Sequence, residues 1–129
     1  MRPFPKGGNE TILLVDDEAF IRDLGKRLLE EVGYSVIIVD DGRQALEIYR
    51  QSGSQIALVI LDVIMPKMGG KQCLESLLQI NPGVKAIMAS AYSTTTEKNE
   101  FVGLGAKGLV DKPFSFRNLL EIVRSVLDG

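Results

Sequence analysis

Five short apolar runs alternate along this chain with segments whose apolar residues recur every three or four positions. The runs are rich in branched side chains and span residues 12–15, 36–39, 56–61, 84–88 and 109–110. Continuous runs of this kind predict strands that are buried on both faces. Their alternation with helices predicts right-handed crossovers, and therefore an α/β fold with a doubly wound, five-stranded parallel sheet.

The segments between the runs predict amphipathic helices with one buried stripe each. The stripes comprise Phe20, Ile21, Leu24, Leu28 and Val32; Ala45, Leu46 and Tyr49; Leu74, Leu77 and Leu78; and Leu119, Leu120, Val123 and Leu127. Residues 94–104 have a weaker pattern, in which Phe101 and Leu104 could anchor a mobile helix. Residues 1–10 have no apolar period and are interpreted as a linker or disordered lead-in, so the predicted domain spans residues 11–129.

Composition excludes several classes of chemistry. The chain has no histidine, which removes Ser-His-Asp catalysis, His-ligated zinc and a phosphohistidine donor role. The single Cys73 excludes an internal disulfide, and we expect a reducing cytoplasm. The net charge of -2 argues against direct nucleic-acid binding, and no apolar run approaches the length of a membrane span.

Polar side chains suited to phosphate or metal chemistry follow four of the five runs. Asp16 and Asp17 follow the first run, Asp62 the third, Ser90 the fourth and Lys112 the fifth. Taken alone, an Asp-Asp pair before a helix is ordinarily a helix cap, and Ser90 or Lys112 would be a turn or surface residue. Asp62 is harder to explain in this way, because it emerges from the run expected to form a central buried strand. In parallel sheets all of these positions meet at one edge, where ligands bind.

Three carboxylates at one edge of the sheet would repel one another unless a cation compensates them. Oxygen ligands without histidine or cysteine point to magnesium or manganese. Asp16 and Asp17 would hold this cation together with Asp62, and the backbone carbonyl of Ile64 is a further candidate ligand. The edge is therefore predicted to hold a metal ion and a phosphoryl group together.

We assign roles to the remaining strand-end residues as hypotheses. Asp62 would be the nucleophile that forms an acyl phosphate. Lys112 and the cation would neutralise charge on the phosphoryl oxygens, and Ser90 would donate a hydrogen bond to one of them.

These residues together resemble the receiver domain of two-component response regulators, and the resemblance covers residues 10–127. The motifs that carry it are Val15-Asp16-Asp17-Glu18, Leu61-Asp62-Val63-Ile64-Met65-Pro66 with Gly69-Gly70, Ser90-Ala91-Tyr92, and Lys112-Pro113-Phe114. The resemblance implies a flavodoxin-like (βα)5 topology with strand order 2-1-3-4-5, bound Mg2+ and phosphorylation at Asp62. It also implies a cis peptide bond before Pro113.

The implied phosphodonor is a histidine kinase or a histidine phosphotransfer domain. The resemblance also allows a second copy of the chain as a partner in a homodimer. Residues 3–10 resemble linkers that precede the C-terminal receivers of hybrid sensor kinases, although a stand-alone receiver is the alternative origin. The domain would catalyse its own phosphorylation and slow dephosphorylation without being a turnover enzyme. No membrane contact is expected of it.

Two positions depart from the family pattern. Leu109 stands where members generally carry an aromatic residue that swings inward on phosphorylation, so the usual switch is in question and Tyr92 is a candidate substitute. Ile64 lies beside the expected path of the hydrolytic water, which its side chain cannot orient by hydrogen bonding.

Two other functions compete with a receiver. A phosphatase that uses an aspartate nucleophile would need a second acid at position 64, where isoleucine stands. The main alternative is a docking module with this fold whose partner binds it regardless of phosphorylation, and Leu109 keeps that alternative open.

Overall fold

The structure of the protein is a computed structural model, in which residues 6–65, 67–91 and 94–129 are described. Strands and helices alternate throughout these residues. Their bounds are β1 Thr11–Val15, α1 Ala19–Glu30, β2 Ser35–Val39, α2 Gly42–Ser52, β3 Leu58–Asp62, α3 Gly70–Ile80, β4 Ala86–Ser90, α4 Thr95–Leu104, β5 Gly108–Asp111 and α5 Phe116–Asp128, with a short 3-10 turn at Gly53–Gln55 after α2.

The five strands form one parallel sheet in the order β2-β1-β3-β4-β5. This order confirms the predicted flavodoxin-like topology. The order reverses between β1 and β3, so their carboxyl ends lie side by side. In open α/β sheets this switch point is where ligands bind.

The sheet separates two apolar layers. One layer packs α2, α3 and α4 against the sheet, and the other packs α1 and α5. Consecutive residues of β3 alternate between the layers, with Val59 and Leu61 in the first and Leu58 and Ile60 in the second. This central strand is fully buried, which explains its unbroken apolar sequence.

Each of the five apolar runs differs from the observed strand by one or two residues at one or both ends, and one burial prediction was wrong. The run 56–61 becomes a strand at Leu58–Asp62, which ends at Asp62 as expected. The run 84–88 becomes Ala86–Ser90, so Ser90 ends its strand instead of following it. The fifth strand extends one residue beyond each end of the run 109–110. The second strand is only partly buried, because it lies at the edge of the sheet.

Helix α4 forms where the sequence pattern was weakest. Thr94 and Glu97 make a capping box, in which the Thr94 hydroxyl accepts from the Glu97 amide at 3.1 Å and Glu97 Oε1 accepts from the Thr94 amide at 3.3 Å. At the other end Gly105 adopts φ 119°, a conformation that favours glycine. The two caps define a helix whose single buried side chain is Phe101.

Residues 6–10 lie against the body of the domain. The Gly8 amide donates to the Val32 carbonyl at 3.2 Å, and Arg124 of α5 binds both the Gly7 carbonyl and the Glu10 carboxylate.

None of the helices in the described ranges has the length and apolar character that a membrane crossing requires.

Candidate functional site

The turn after β1 places three acidic residues at the carboxyl edge of the sheet. Asp16 is buried, and its Oδ1 accepts a hydrogen bond from the Glu18 amide at 2.9 Å. Arg22 of α1 donates to the Asp16 carbonyl at 2.8 Å and so fixes the turn from the helix side. Asp17 and Glu18 are exposed, which leaves their carboxylates at the entrance of the site.

Asp62 ends the neighbouring strand β3 and is also buried. Its Oδ1 accepts from the Ile64 amide at 3.3 Å. Helix α3 begins close behind it at Gly70, where a Cβ would collide with the Asp62 carbonyl oxygen and lie 2.8 Å from Val63 Cα. The absence of a side chain at Gly70 therefore lets α3 approach the backbone that carries Asp62.

Lys112 brings the acidic residues of both strands together. Its Nζ lies 3.0 Å from Asp16 Oδ2, 2.9 Å from Glu18 Oε1 and 3.2 Å from Asp62 Oδ1. Only 7% of the Lys112 side chain is exposed, so its pairs with the buried Asp16 and Asp62 are shielded from water, whereas Glu18 is exposed to solvent. The peptide bond from Lys112 to Pro113 is cis.

A cavity of about 340 Å³ opens over these residues. Asp62 and Lys112 lie in its wall, and Ser90 from the end of β4 lines it as well. Ile64 is at the mouth, with 79% of the residue exposed. Among the described residues, the lining comprises Asp17, Glu18, Asp62, Val63, Ile64, Ser90, Ala91, Glu97 and Lys112.

Burial and the neighbouring charge of Asp16 raise the pKa of Asp62 to about 7, although Lys112 and the Ile64 amide act in the opposite direction. Burial lowers the pKa of Lys112, but hydrogen bonds to Glu18 and Asp16 and the charge of Asp62 outweigh this effect and leave it above the ordinary value. Lys112 is therefore a permanent cation, and one positive charge is insufficient to keep Asp62 fully ionised at neutral pH.

The donor set fits a hard divalent cation. Asp16, Asp17, Glu18 and Asp62 each offer a carboxylate oxygen, and these four atoms lie within 4.8 Å of one another. Oxygen ligands of this kind suit Mg2+ or Mn2+, and a cation at the cluster would favour the ionised form of Asp62.

The structure brings together Asp16, Asp17, Asp62, Ser90 and Lys112, all of which the sequence singled out. Leu109 lies apart from the cavity lining, half-buried in β5 and packed against the layer that contains α4. Tyr92 and Pro66 lie outside the described residues.

Sequence reasoning assigned no role to two acidic residues of the site. Glu18 was noted only as part of a motif, and its contact with Lys112 joins residues that are 94 positions apart. Glu97 also lines the cavity, and the Thr94-x-x-Glu97 spacing of a capping box was the signal that could have located it.

Comparison with known proteins agrees with this fold and with the acidic site at the switch point. The family model of the response regulator receiver domain matches residues 12–124. The chain therefore belongs to the receiver domain family of two-component signalling proteins.

Two of the similar proteins are identical to this chain at more than a third of the aligned positions. It is similar to the sensor kinase CckA of Brucella abortus (35% identity over 121 residues, 94% of this chain and 13% of the relative). It is also similar to the transcriptional regulatory protein CpxR of Escherichia coli (39% over 116 residues, 90% of this chain and 48% of the relative). The chain thus spans less than half of either relative.

A solved structure matches the fold closely. In the crystal structure of the CheX-CheY-BeF3-Mg2+ complex from Borrelia burgdorferi, the matching chain superimposes with a TM-score of 0.87 at 30% identity, covering 91% of this chain and 88% of the other.

Proposed function

We propose that this receiver domain accepts a phosphoryl group on Asp62 from a phosphohistidine donor, with Mg2+ bound at the acidic cluster. The observation that carries the proposal is the meeting of Asp62 and Lys112, 3.2 Å apart, beneath an open cavity at the carboxyl edge of the sheet. A buried carboxylate with a fixed ammonium beside it is suited to attack phosphorus, because the ammonium offsets charge on the phosphoryl oxygens.

Each residue of the chain has a separate task in this reaction. Asp62 attacks phosphorus as the ionised carboxylate, and the Ile64 amide at 3.3 Å helps to orient it. Lys112 balances the incoming negative charge, and Ser90, which lines the same cavity, is placed to donate a hydrogen bond to a phosphoryl oxygen.

The proposed ligands of Mg2+ are the carboxylates of Asp16, Asp17 and Asp62 and the backbone carbonyl of Ile64. Glu18 is an additional candidate because its carboxylate belongs to the same cluster. The ion would supply the positive charge that keeps Asp62 ionised and lowers the repulsion between the carboxylate and the phosphoryl oxygens. The presence of Mg2+ in the related Borrelia complex supports this assignment.

Receiver domains act with histidine kinases or phosphotransfer proteins, and this chain is proposed to receive its phosphoryl group from one of them. The similarity to CckA favours the receiver of a hybrid sensor kinase as the parent, whereas the similarity to CpxR is compatible with a transcriptional regulator. We also propose that the domain forms a homodimer when it is phosphorylated, which light scattering before and after phosphorylation would test.

The direct test is intact-mass spectrometry after incubation with acetyl phosphate, with Mg2+ or with EDTA. We expect a Mg2+-dependent gain of one phosphoryl group in the wild type and in Asp23→Asn, which alters an exposed aspartate of α1 outside the cavity. Asp62→Asn should show no gain. A histidine-phosphorylated phosphotransfer domain serves as the second donor, and absence of transfer from both donors would refute the proposal.

The alternative function is docking that does not depend on phosphorylation. Leu109 favours it, because a half-buried leucine has no ring or hydroxyl with which to couple the site to the surface of β5. A partner that binds the phosphorylated and unphosphorylated domain with equal affinity would support this alternative.

A further inference from the structure

Glu97 is an acidic residue of the cavity that belongs to neither the proposed metal ligands nor the proposed catalytic residues. It lines the same cavity as Asp62, Ser90 and Lys112, although it comes from the first turn of α4. Among residues 94–100 it is the only one that is partly buried, and the others are exposed.

The capping box fixes the position of this carboxylate. Glu97 Oε1 accepts from the Thr94 amide at 3.3 Å and lies 3.4 Å from the Thr94 hydroxyl, while the Glu97 amide donates to that hydroxyl at 3.1 Å. These contacts hold the side chain at the wall of the cavity, so its negative charge is a fixed part of the site.

The cavity is already rich in negative charge. Four carboxylates line it (Asp17, Glu18, Asp62 and Glu97) against the single ammonium of Lys112. Asp16 of the same acidic cluster adds a fifth carboxylate. Lys112 and a divalent cation at the cluster would together offset three of these five charges, which leaves an excess of two. A phosphodonor that carries net negative charge therefore enters an unfavourable potential, to which Glu97 contributes without ligating the ion.

We propose that Glu97 is a specificity-determining residue that disfavours highly anionic small phosphodonors. This inference rests on the proposed phosphorylation of Asp62. Its physical basis is the interaction of the fixed Glu97 charge with the total charge of the donor, so the effect depends on how many negative charges the donor brings into the cavity.

Two small donors with different charge separate this effect from a general change in reactivity. With acetyl phosphate, Asp62 forms a bond to phosphorus, and the phosphorus–oxygen bond breaks so that acetate leaves with the electron pair. With phosphoramidate, the same bond forms and the phosphorus–nitrogen bond breaks, so that ammonia leaves from its protonated nitrogen. Acetyl phosphate is a dianion at neutral pH, whereas phosphoramidate carries one net negative charge.

The variant Glu97→Gln removes the charge and retains the capping box, since a glutamine oxygen accepts the same bond from the Thr94 amide. Glu97→Lys extends the series by one further positive charge. Glu100→Gln is the matched control, because Glu100 is an exposed residue of the same helix that pairs with Lys71 at 3.5 Å and does not line the cavity.

The experiment measures the rate of phosphorylation of each variant by intact mass, at Mg2+ concentrations that saturate that variant in titration calorimetry. We expect Glu97→Gln to accelerate the reaction with acetyl phosphate by about three- to tenfold at low ionic strength, and Glu97→Lys to accelerate it further. The gain with phosphoramidate should be smaller, and the gain with acetyl phosphate should shrink at high salt because the charges are screened.

An unchanged rate for Glu97→Gln with acetyl phosphate would overturn the inference. So would an equal acceleration of Glu97→Gln with both donors, or an acceleration of Glu100→Gln as large as that of Glu97→Gln. If Glu97→Lys does not fold, as judged by circular dichroism, the comparison of Glu97→Gln with wild type still decides the question. Failure of the wild type to be phosphorylated by any donor would instead count against the proposed function, so the two failures are distinguishable.

Discussion

Lys112 Nζ lies 3.0 Å from Asp16 Oδ2, although 96 residues separate the two in the chain. Both side chains are almost inaccessible to water, and Lys112 also compensates Asp62 and Glu18. Loss of its charge would leave buried carboxylates without a partner. We expect Lys112→Met to lower the free energy of unfolding in EDTA by about 3 kcal/mol, measured by urea denaturation.

Lys107→Met is the control for this prediction, because Lys107 is exposed just before β5 and lies outside the cavity lining. Its unfolding free energy should stay within about 0.5 kcal/mol of wild type. Saturating Mg2+ should restore part of the stability of Lys112→Met, and a variant as stable as wild type in EDTA would contradict the role given to Lys112.

Asp62 should make the metal-free domain less stable as the pH rises. Burial and Asp16 raise its pKa to about 7 in the folded state, above the value near 4 of the unfolded chain, so the folded state binds more protons between these values. Stability from this group is complete below about pH 4 and is lost as the pH rises through about 7. Each unit of pKa difference corresponds to about 1.4 kcal/mol.

Asp62→Asn removes this titration. In EDTA, thermal unfolding at pH 5 and pH 8 should therefore show that Asp62→Asn gains stability relative to wild type at the higher pH. Mg2+ should reduce the gap at pH 8, because the wild type alone keeps the Asp62 carboxylate as a ligand. A difference between the two proteins that is independent of pH would be inconsistent with the raised pKa.

Gly70 should tolerate no side chain. Because a Cβ there would collide with the Asp62 carbonyl oxygen, Gly70→Ala must shift the start of α3 or the end of β3. We expect a loss of about 1–3 kcal/mol in urea denaturation and slower phosphorylation of Asp62. Gly69→Ala is the matched control, since the nearest atom to a Cβ at Gly69 is 4.0 Å away. Equal effects of the two substitutions would be evidence against the close approach.

Ile64 should set the lifetime of the acyl phosphate. It stands at the mouth of the cavity with an exposed, apolar side chain that offers no hydrogen bond to an attacking water. We expect Ile64→Asn to speed the loss of the phosphoryl group, followed by intact mass after the donor is removed. Ile64→Val keeps the apolar character and should decay at the wild-type rate, and an unchanged or slower decay of Ile64→Asn would reject the prediction.

The fold could be predicted because its pattern is carried by many residues at once. The alternation of apolar runs and helical stripes predicted the class, and the resemblance to the receiver family implied the strand order that the structure has. The end of β4 was misplaced because Ser90 is a polar residue at a buried position, and hydropathy alone assigns such a residue to a loop. The structure accommodates Asp62 in the strand because Lys112 compensates it.

Long-range polar contacts were the part that could not be predicted. Nothing in the local sequence indicates that Arg124 binds Glu10 at 2.8 Å across 114 residues, or that Glu18 binds Lys112. Such contacts depend on side-chain directions that only the assembled sheet defines. Asp16, Asp17, Asp62 and Lys112 could be grouped in advance because they follow strands whose ends must meet at one edge.

Helix α4 differs from the other helices in how few of its residues are buried against the rest of the domain. Its one buried residue is Phe101, whereas each of the other four α-helices of the described chain buries three or four residues. The free energy needed to detach α4 is therefore smaller than for any of them. We expect the amide protons of α4 to exchange with solvent before those of the other helices. Because α4 also carries Glu97 of the cavity, it is the helix whose conformation a small change in interaction energy at the site can shift most readily.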